Sequence, residues 1–429
     1  MFLTQQNVCF VAFIIVMHFI SIPLNIYHFI AQKISQASKQ YSFSSLVSKI
    51  AVISVAITIL VVLLSFSVLS GFKSAIKSKI FSFAGHIRVV KTSNNQSFEE
   101  PPVSVNNKLF EQHKKIPYIS HLQSYIQKPG VVKIKDNVQG VVLKGVGLDY
   151  RFQDFAENLK EGRWLSLKKD QETNEVVVSK LIADKLNLKI KDSVIVIFVQ
   201  EPPRFRKLAV VGIYDSGVGM FDEKFLITDI KTLQKVNNWG DSLVSGYEIF
   251  LKDFEKINEN SKQLEEYLPY DLSQQPITAK HYDTFEWLAI LDNNVVIILV
   301  VILVVAAFNI ISVLLIMLME RTQMIGMLKA MGADNQQIRK IFIFQGFRIV
   351  LKGFSWGNAL AFGAYMLQYY THLIPLDAHN YFVSYVPVSW DWLTFIFANL
   401  GVLILISIIM ILPITFVVRI PPIKAIRFV

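Results

Sequence analysis

Directly after the apolar run Val295–Met319 comes Glu320-Arg321-Thr322-Gln323-Met324-Ile325-Gly326-Met327-Leu328-Lys329-Ala330-Met331-Gly332-Ala333. An acid–base pair opens this segment, and Ile325, Leu328 and Met331 follow at three-residue steps between polar positions. Such spacing gives a helix one apolar stripe. Gly326, Ala330, Gly332 and Ala333 are small enough to let another helix approach closely, and Lys329 can pair with carboxylates on a partner's surface. The chemistry on offer is docking. A blander alternative is an ion pair at the end of a membrane helix, because the interface tolerates charge.

Bond-making chemistry finds no residues to carry it. Gly71-Phe72-Lys73-Ser74 lacks the leading glycine and the spacing of a phosphate-cradling loop, so any ATP that drives this chain must be hydrolysed by another. The eight histidines are scattered. His372, Asp377 and His379 share one stretch, but their spacing fits no common ligand pattern, and no metal is assigned. Gly217 and Gly219 after Asp215-Ser216 read as a turn. The single cysteine, Cys9, excludes an intramolecular disulfide and a multi-cysteine metal site; Gln6-Asn7-Val8 before it makes no lipidation signal. No nucleophile–base pair stands out. The chain reads as a non-enzyme with no catalytic residues and no cofactor of its own.

The elements that would position the docking segment follow from composition. Hydrophobic residues make up 52% of 429, concentrated in long runs, which points to membrane segments. The net charge of +10 comes from basic residues that form no single tract and no stacking motif, so nucleic acid is not the expected partner. Four stretches are long enough to span as helices: residues 50–70, closed by Ser70-Gly71; 295–319; 341–370; and 393–418. Arg348 and Lys352 interrupt the third, where their stems can snorkel to the headgroups.

Orientation follows from the short loops. Lys33, Lys39 and Lys49 precede the first span, Arg321, Lys329, Arg339 and Lys340 lie between the second and third, and Arg419, Lys424 and Arg427 follow the fourth. Residues 371–392 contain no Lys or Arg. Positive-inside bias places both termini and residues 320–340 in the cytoplasm, with 371–392 and 71–294 outside. Residues 71–294 read as an α+β domain. Strands are expected at His86–Val90, Asn137–Val146, Ser193–Val199, Leu208–Tyr214 and Tyr247–Leu251, and helices at Lys180–Leu188, Asp229–Asn237 and Asp253–Leu268. From Ala279 the chain reads as helix running straight into the second span. Residues 1–24 form an apolar extension broken at Pro23. Two readings fit it: a short membrane-dipping segment, or a misassigned start. Residues 25–49 then read as a cytoplasmic interfacial helix and 419–429 as a cytoplasmic tail.

Position by position, Glu320-Arg321, Ile325-Gly326, Lys329-Ala330 and Gly332-Ala333 resemble the coupling helix of the ABC permease superfamily that includes MacB and FtsX. Further matches narrow this to the lipoprotein-releasing LolC/LolE family. They are Tyr282–Leu288 with Leu291–Val295, Gly71-Phe72 with Ile80-Phe81 and Gly85-His86-Ile87, Val211–Gly217 with Phe221-Asp222, and Pro421–Arg427. The resemblance runs from about residue 25 to the end. It implies four transmembrane α-helices, with a large α+β periplasmic domain between the first and second, in the inner membrane of a two-membrane bacterium.

The resemblance also implies partners. These are a LolD-like ATPase carrying ATP and Mg, a second permease subunit (identical or related), a LolA-like periplasmic chaperone, triacylated lipoproteins and membrane lipids. Glu320, Arg321, Ile325, Gly326, Leu328, Lys329, Ala330, Gly332 and Ala333 would then couple to the ATPase. In LolC-type members a proline-bearing hook that recruits the chaperone occupies the place that holds Gln200, Glu201, Pro202, Pro203, Arg204, Phe205 and Arg206 here; this loop is shorter, and an ordinary hairpin is the alternative. A MacB-like efflux permease and an FtsX-like transmitter controlling cell-wall hydrolases remain the competing functions.

Overall fold

The structure is a computed structural model that describes residues 43–93, 97–134, 137–169, 171–377, 381 and 383–417. The apolar extension, most of the expected interfacial helix, Cys9, His379 and the tail lie outside these residues. The chain divides into two compact units: Met1–Ser70, Asp292–Thr371 and Val388–Val429 in one, Gly71–Leu291 and His372–Pro387 in the other.

The main helices in chain order are α1 (Phe43–Ala84), α2 (Lys180–Leu186), α3 (Ile230–Asn237), α4 (Ile257–Leu264), α5 (Tyr282–Glu320), α6 (Thr322–Ala330), α7 (Asn335–Thr371) and α8 (Trp392–Val417). Among the described residues three stretches are long and apolar enough to cross a membrane: Leu46–Ala84, Tyr282–Glu320 and Trp392–Ile411. The expected third span lies in α7, which is less apolar. It carries Arg339, Lys340, Arg348 and Lys352 in its first half and Asn358 and Gln368 in its second. Ser70-Gly71 does not end the first helix. Ile76, Ile80 and Phe83, at helical spacing, are fully buried in the core of the second unit, and this burial outweighs the low helix propensity of one glycine. α1 stops where Gly85 adopts φ +66° and its N–H caps the Phe81 carbonyl at 2.9 Å.

Within the first unit, Val55, Ile59, Leu314, Phe342, Val350, Ala361 and Ile406 form the inner apolar cluster. α1 and α7 approach closely because Gly353 and Gly357 lack side chains. A Cβ on Gly353 would lie 2.6 Å from the Val55 Cβ, and one on Gly357 2.8 Å from the Ala56 carbonyl oxygen. Asn358 of α7 donates to Asn399 Oδ1 of α8 at 3.0 Å, a polar tie between two long helices.

The second unit carries a sheet of ten strands among the described residues: β1 (Ile87–Lys91), β2 (Ile119–Ile134), β3 (Asn137–Val146), β4 (Leu159–Gly162), β5 (Glu175–Ser179), β6 (Ser193–Phe198), β7 (Arg204–Tyr214), β8 (Phe225–Asp229), β9 (Gly246–Leu251) and β10 (Leu272–Pro276). The order is β10-β1-β9-β2-β3-β8-β5-β7-β4, and β6 pairs with both β2 and β7. The ladder β2-β3-β8-β5-β7-β6 therefore returns to β2 and closes a small barrel, from which Asn137–Val141 of β3 and Arg204–Leu208 of β7 extend with pairing on one side only. β2 makes this possible by serving two partners along one edge. Ile119–Tyr125 pair with β9, and Val131–Lys133 pair with β6.

Several expected boundaries shift. β7 begins at Arg204 rather than Leu208, and the expected helix Asp253–Leu268 is broken into a 3-10 turn at Phe254–Lys256, α4, and a second turn at Glu265–Tyr267. α3 starts one residue after Asp229, whose carboxylate caps it by accepting from the Lys231 N–H at 3.0 Å. α5 begins at Tyr282, because His281 leaves helical geometry after the short turn Ile277–Lys280.

Candidate functional site

The docking segment forms a discrete helix between two long ones. Arg321 breaks the backbone after Glu320 (φ −102°, ψ 14°), α6 runs over Thr322–Ala330, and Gly332 at φ +96° turns the chain away. Asp334 restarts it through a reciprocal cap. Its carboxylate accepts the Gln337 N–H at 2.6 Å, and Gln337 Oε1 accepts the Asp334 N–H at 3.1 Å. Small α6 is thus fixed at both ends.

Its faces are not those that the spacing suggests. Ile325 is buried in the inner apolar cluster of the helical unit, Gly326 is buried beside it in sequence, and Leu328 packs with Met324, Ile341 and Phe344. The outward face carries Gln323, Met327 (59% exposed), Ala330 and Met331 (76% exposed), with Glu320 and Gly332 also exposed. Lys329 is half-buried, as are Arg321 and Ala333. Sequence reasoning singled out Met331 and passed over Met327. The signal was present in the i, i+4 spacing of the two methionines, whose pliable side chains suit a surface that meets a partner.

In the second unit the proline-bearing connection is a tight hairpin. Phe198 pairs with Arg204, Ile197 with Phe205 and Val196 with Arg206, so Arg204, Phe205 and Arg206 are strand residues and only 199–203 form the loop. Arg204 is committed within the chain: Nη1 donates to the carbonyls of Lys235 (2.9 Å) and Val236 (2.6 Å) and to Asn238 Oδ1 (2.8 Å). There it meets the negative end of α3. Gln200 Nε2 reaches the Val236 carbonyl at 3.4 Å. Phe205 stays 57% exposed and Val199 77% exposed. Pairing extends this face across the sheet. Ile197 lies opposite Phe205 and Val131, and Ile195 opposite Lys207 and Lys133, which in turn faces Val138. Ile195 and Val138 are exposed as well. The sequence hid this face because Val194–Val199 is an unbroken apolar run with no readable alternation.

Behind the barrel sits a charge cluster that no motif announced. Lys144 Nζ contacts Glu248 Oε1 and Oε2 at 2.7 and 2.9 Å and donates to the Phe83 carbonyl, with Gln123 Nε2 on Glu248 Oε2 at 2.8 Å. Arg88 stacks over Tyr125 at 4.4 Å and pairs with Glu100 at 3.2 Å. Burial pulls the Lys144 pKa down, and Glu248 opposes that shift. Nearby, burial and then the Arg88 charge lower Lys280 to about 8, and burial with Lys280 and Arg88 lowers His281 to about 4. His86 is lowered to about 4, by burial first and then by Arg151; its Nδ1 accepts the Leu251 N–H at 2.9 Å. These groups support the fold and form no nucleophile–base pair.

Comparison with known proteins covers nearly the whole chain. Residues 48–267 match the MacB-like periplasmic core domain and residues 296–422 the FtsX-like permease C-terminal family. The lipoprotein-releasing system transmembrane protein LolE of Haemophilus influenzae is 21% identical over 86% of this chain and 91% of its own length. The LolC proteins of Xylella fastidiosa and Neisseria meningitidis are 21% identical (92% of this chain, 96% of theirs) and 23% identical (83% and 88%).

Proposed function

The chain belongs to the family of membrane permeases built on a MacB-like periplasmic core domain, and from that premise we propose that it is the permease subunit of an ABC-type lipoprotein-releasing complex. The observation that carries this reading is the similarity to LolC and LolE proteins along both units, in the same order, over most of each chain. In this proposal α7 supplies a fourth span, with Arg348 and Lys352 snorkelling, and both ends and α6 face the cytoplasm. The barrel-bearing unit is periplasmic and the membrane is the inner one.

A separate ATPase docks on the outward face of α6, through Met327 and Met331 with Gln323, Ala330 and Glu320 around them. Ile325 and Leu328 hold α6 on the permease, so that displacement of α6 is displacement of α5 and α7. A second permease subunit completes the complex. Cargo is a triacylated lipoprotein, handed to a soluble periplasmic chaperone at the Phe205 face. Each methylene taken out of the bilayer costs ~0.8 kcal/mol, so three chains moved through water would cost tens of kcal/mol. The chains must therefore pass from bilayer to protein to chaperone without full hydration.

The test is to purify the full chain from its own envelope and identify what comes with it. Acylated lipoproteins and an ATPase subunit are expected. Recovery of a cell-wall hydrolase activator, or of an outer-membrane duct with no lipoprotein, would replace this reading by the transmitter or the efflux permease.

A further inference from the structure

A groove of about 490 Å³ runs between α1 and α7 in the first unit. α1 contributes Lys49, Val52, Ile53, Ala56 and Ile57, one stripe at helical spacing, with Ser48 beside it. α7 contributes a matching stripe, Gln345, Ile349, Lys352, Trp356 and Leu360. The close approach at Gly353 and Gly357 fixes the two stripes side by side.

Three observations say what this groove takes. Among the described residues its charged lining consists of Lys49 and Lys352, with no carboxylate, and neither lysine makes an ion pair or hydrogen bond there. Two like charges on one groove repel each other, and in surroundings less polar than water that repulsion grows unless an anion sits between them. Secondly, Gln345 is 6% exposed, and its Oε1 has no hydrogen-bond partner among the described residues, so a buried acceptor waits for a donor. Thirdly, apart from Ser48 the rest of the described lining is apolar, with Ile53, Ile57, Trp356 and Leu360 exposed along it. Snorkelling alone would account for the lysines, which would then be solvated among bulk headgroups. It accounts for neither the orphaned Gln345 acceptor nor the volume.

We propose that this groove binds one anionic phospholipid whose headgroup also carries hydroxyl groups, a phosphatidylglycerol. The phosphate lies between Lys49 and Lys352, a glycerol hydroxyl donates to Gln345 Oε1, and an acyl chain lies along Ile53, Ile57 and Leu360. Basic pockets between membrane helices are known to select anionic headgroups in this way. The lipid would tie α1 to α7 at the base of the unit that holds α6. No bond is made or broken.

The experiment uses the full chain in a non-ionic detergent, exposed to an equimolar mixture of phosphatidylglycerol, phosphatidic acid and phosphatidylcholine with matched acyl chains. Native mass spectrometry reads the lipid retained. Wild type is expected to retain phosphatidylglycerol at least fivefold over phosphatidylcholine. Lys49→Gln/Lys352→Gln should abolish that preference, and Lys49→Arg/Lys352→Arg should keep it. Both lysines are exposed, so neither change threatens the fold, and the thermal unfolding midpoint checks this. Gln345→Leu should leave anionic selectivity intact while erasing the preference for phosphatidylglycerol over phosphatidic acid. Equal retention of all three lipids by wild type, or an undiminished preference in the double glutamine variant, would overturn the proposal. Phosphatidic acid held as tightly as phosphatidylglycerol by wild type would overturn the role given to Gln345 and with it the named headgroup.

Discussion

The two units solve opposite solvent problems with opposite surfaces. In the barrel-bearing unit charges go inward in pairs: Lys144 and Glu248 are both buried, the buried Arg88 meets the half-buried Glu100, and the strands β5 and β8 are almost wholly covered. In the helical unit the inner apolar cluster is joined by small and neutral polar residues, Gly353, Gly357 and the Asn358–Asn399 pair, with no buried ion pair among the described residues, while many further isoleucines, valines and leucines face outward. Large apolar surface turned outward is costly in water and costless in lipid. Sheet closure makes the same point from the other side. The closed ladder pairs the central strands on both sides, and the exposed residues near Phe205 sit on strand ends beyond it, where Lys133, Arg206 and Lys207 are interspersed with the apolar side chains.

The comparison breaks first at the buried pair. Glu248→Gln leaves Lys144 charged and unpaired in the interior, so a loss of about 3–5 kcal/mol is expected, read as a lower thermal unfolding midpoint of the purified chain. Lys144→Met with Glu248→Leu should recover most of it. Midpoints equal to wild type in Glu248→Gln would show that water reaches the pair.

Acid should act on the barrel-bearing unit ahead of the helical one. His86 stays neutral in the folded chain down to about 4, whereas in the unfolded chain it takes up a proton near its usual 6.5. The unfolded state thus binds more protons between those values. The contribution is intact above pH 6.5 and is lost as the pH falls toward 4, by on the order of 3 kcal/mol. His86→Asn should flatten the stability profile in that window, with His281, displaced in the same direction, left to supply the remaining slope. A profile unchanged by the substitution would remove His86 from the account.

In the helical unit the corresponding break is steric. Gly353→Val puts a side chain against Val55 and should cost about 1–3 kcal/mol while leaving the barrel's acid response untouched. Coincident loss of both would mean that the units unfold as one.

How much of this was legible in the sequence depended on the solvent. Long apolar runs announced α5 and α8, and Asn137–Val146 was placed to the residue. β2 was missed because Pro129-Gly130 looks like a turn. In the structure they fall between the residues paired with β9 and those paired with β6, where the strand changes partner along that edge. Ser70-Gly71, where the expected first span closes, coincides with the division between the two units, but the helix itself runs on to Ala84 because Ile76, Ile80 and Phe83 are buried in the second unit's core. For residues 320–333 the three-residue steps identified the helix but not which side is buried: Ile325 lies in the inner apolar cluster while Met331 is exposed. In the hairpin, Arg204 looked available until α3 claimed it.

The smallest structural change carries the functional claim. Met327→Glu with Met331→Glu alters only the exposed face of α6, so the unfolding midpoint should stay within ordinary surface variation, about 0.5 kcal/mol. The direct measurement is ATP-dependent release of an acylated lipoprotein from proteoliposomes holding the permease and its ATPase into a soluble acceptor. Release is expected from wild type with ATP and acceptor present, and it should fall at least tenfold in Met327→Glu/Met331→Glu while the ATPase alone still turns over. Wild-type proteoliposomes that hydrolyse ATP yet leave the lipoprotein in the bilayer, or a methionine variant that releases it at the wild-type rate, would contradict the account.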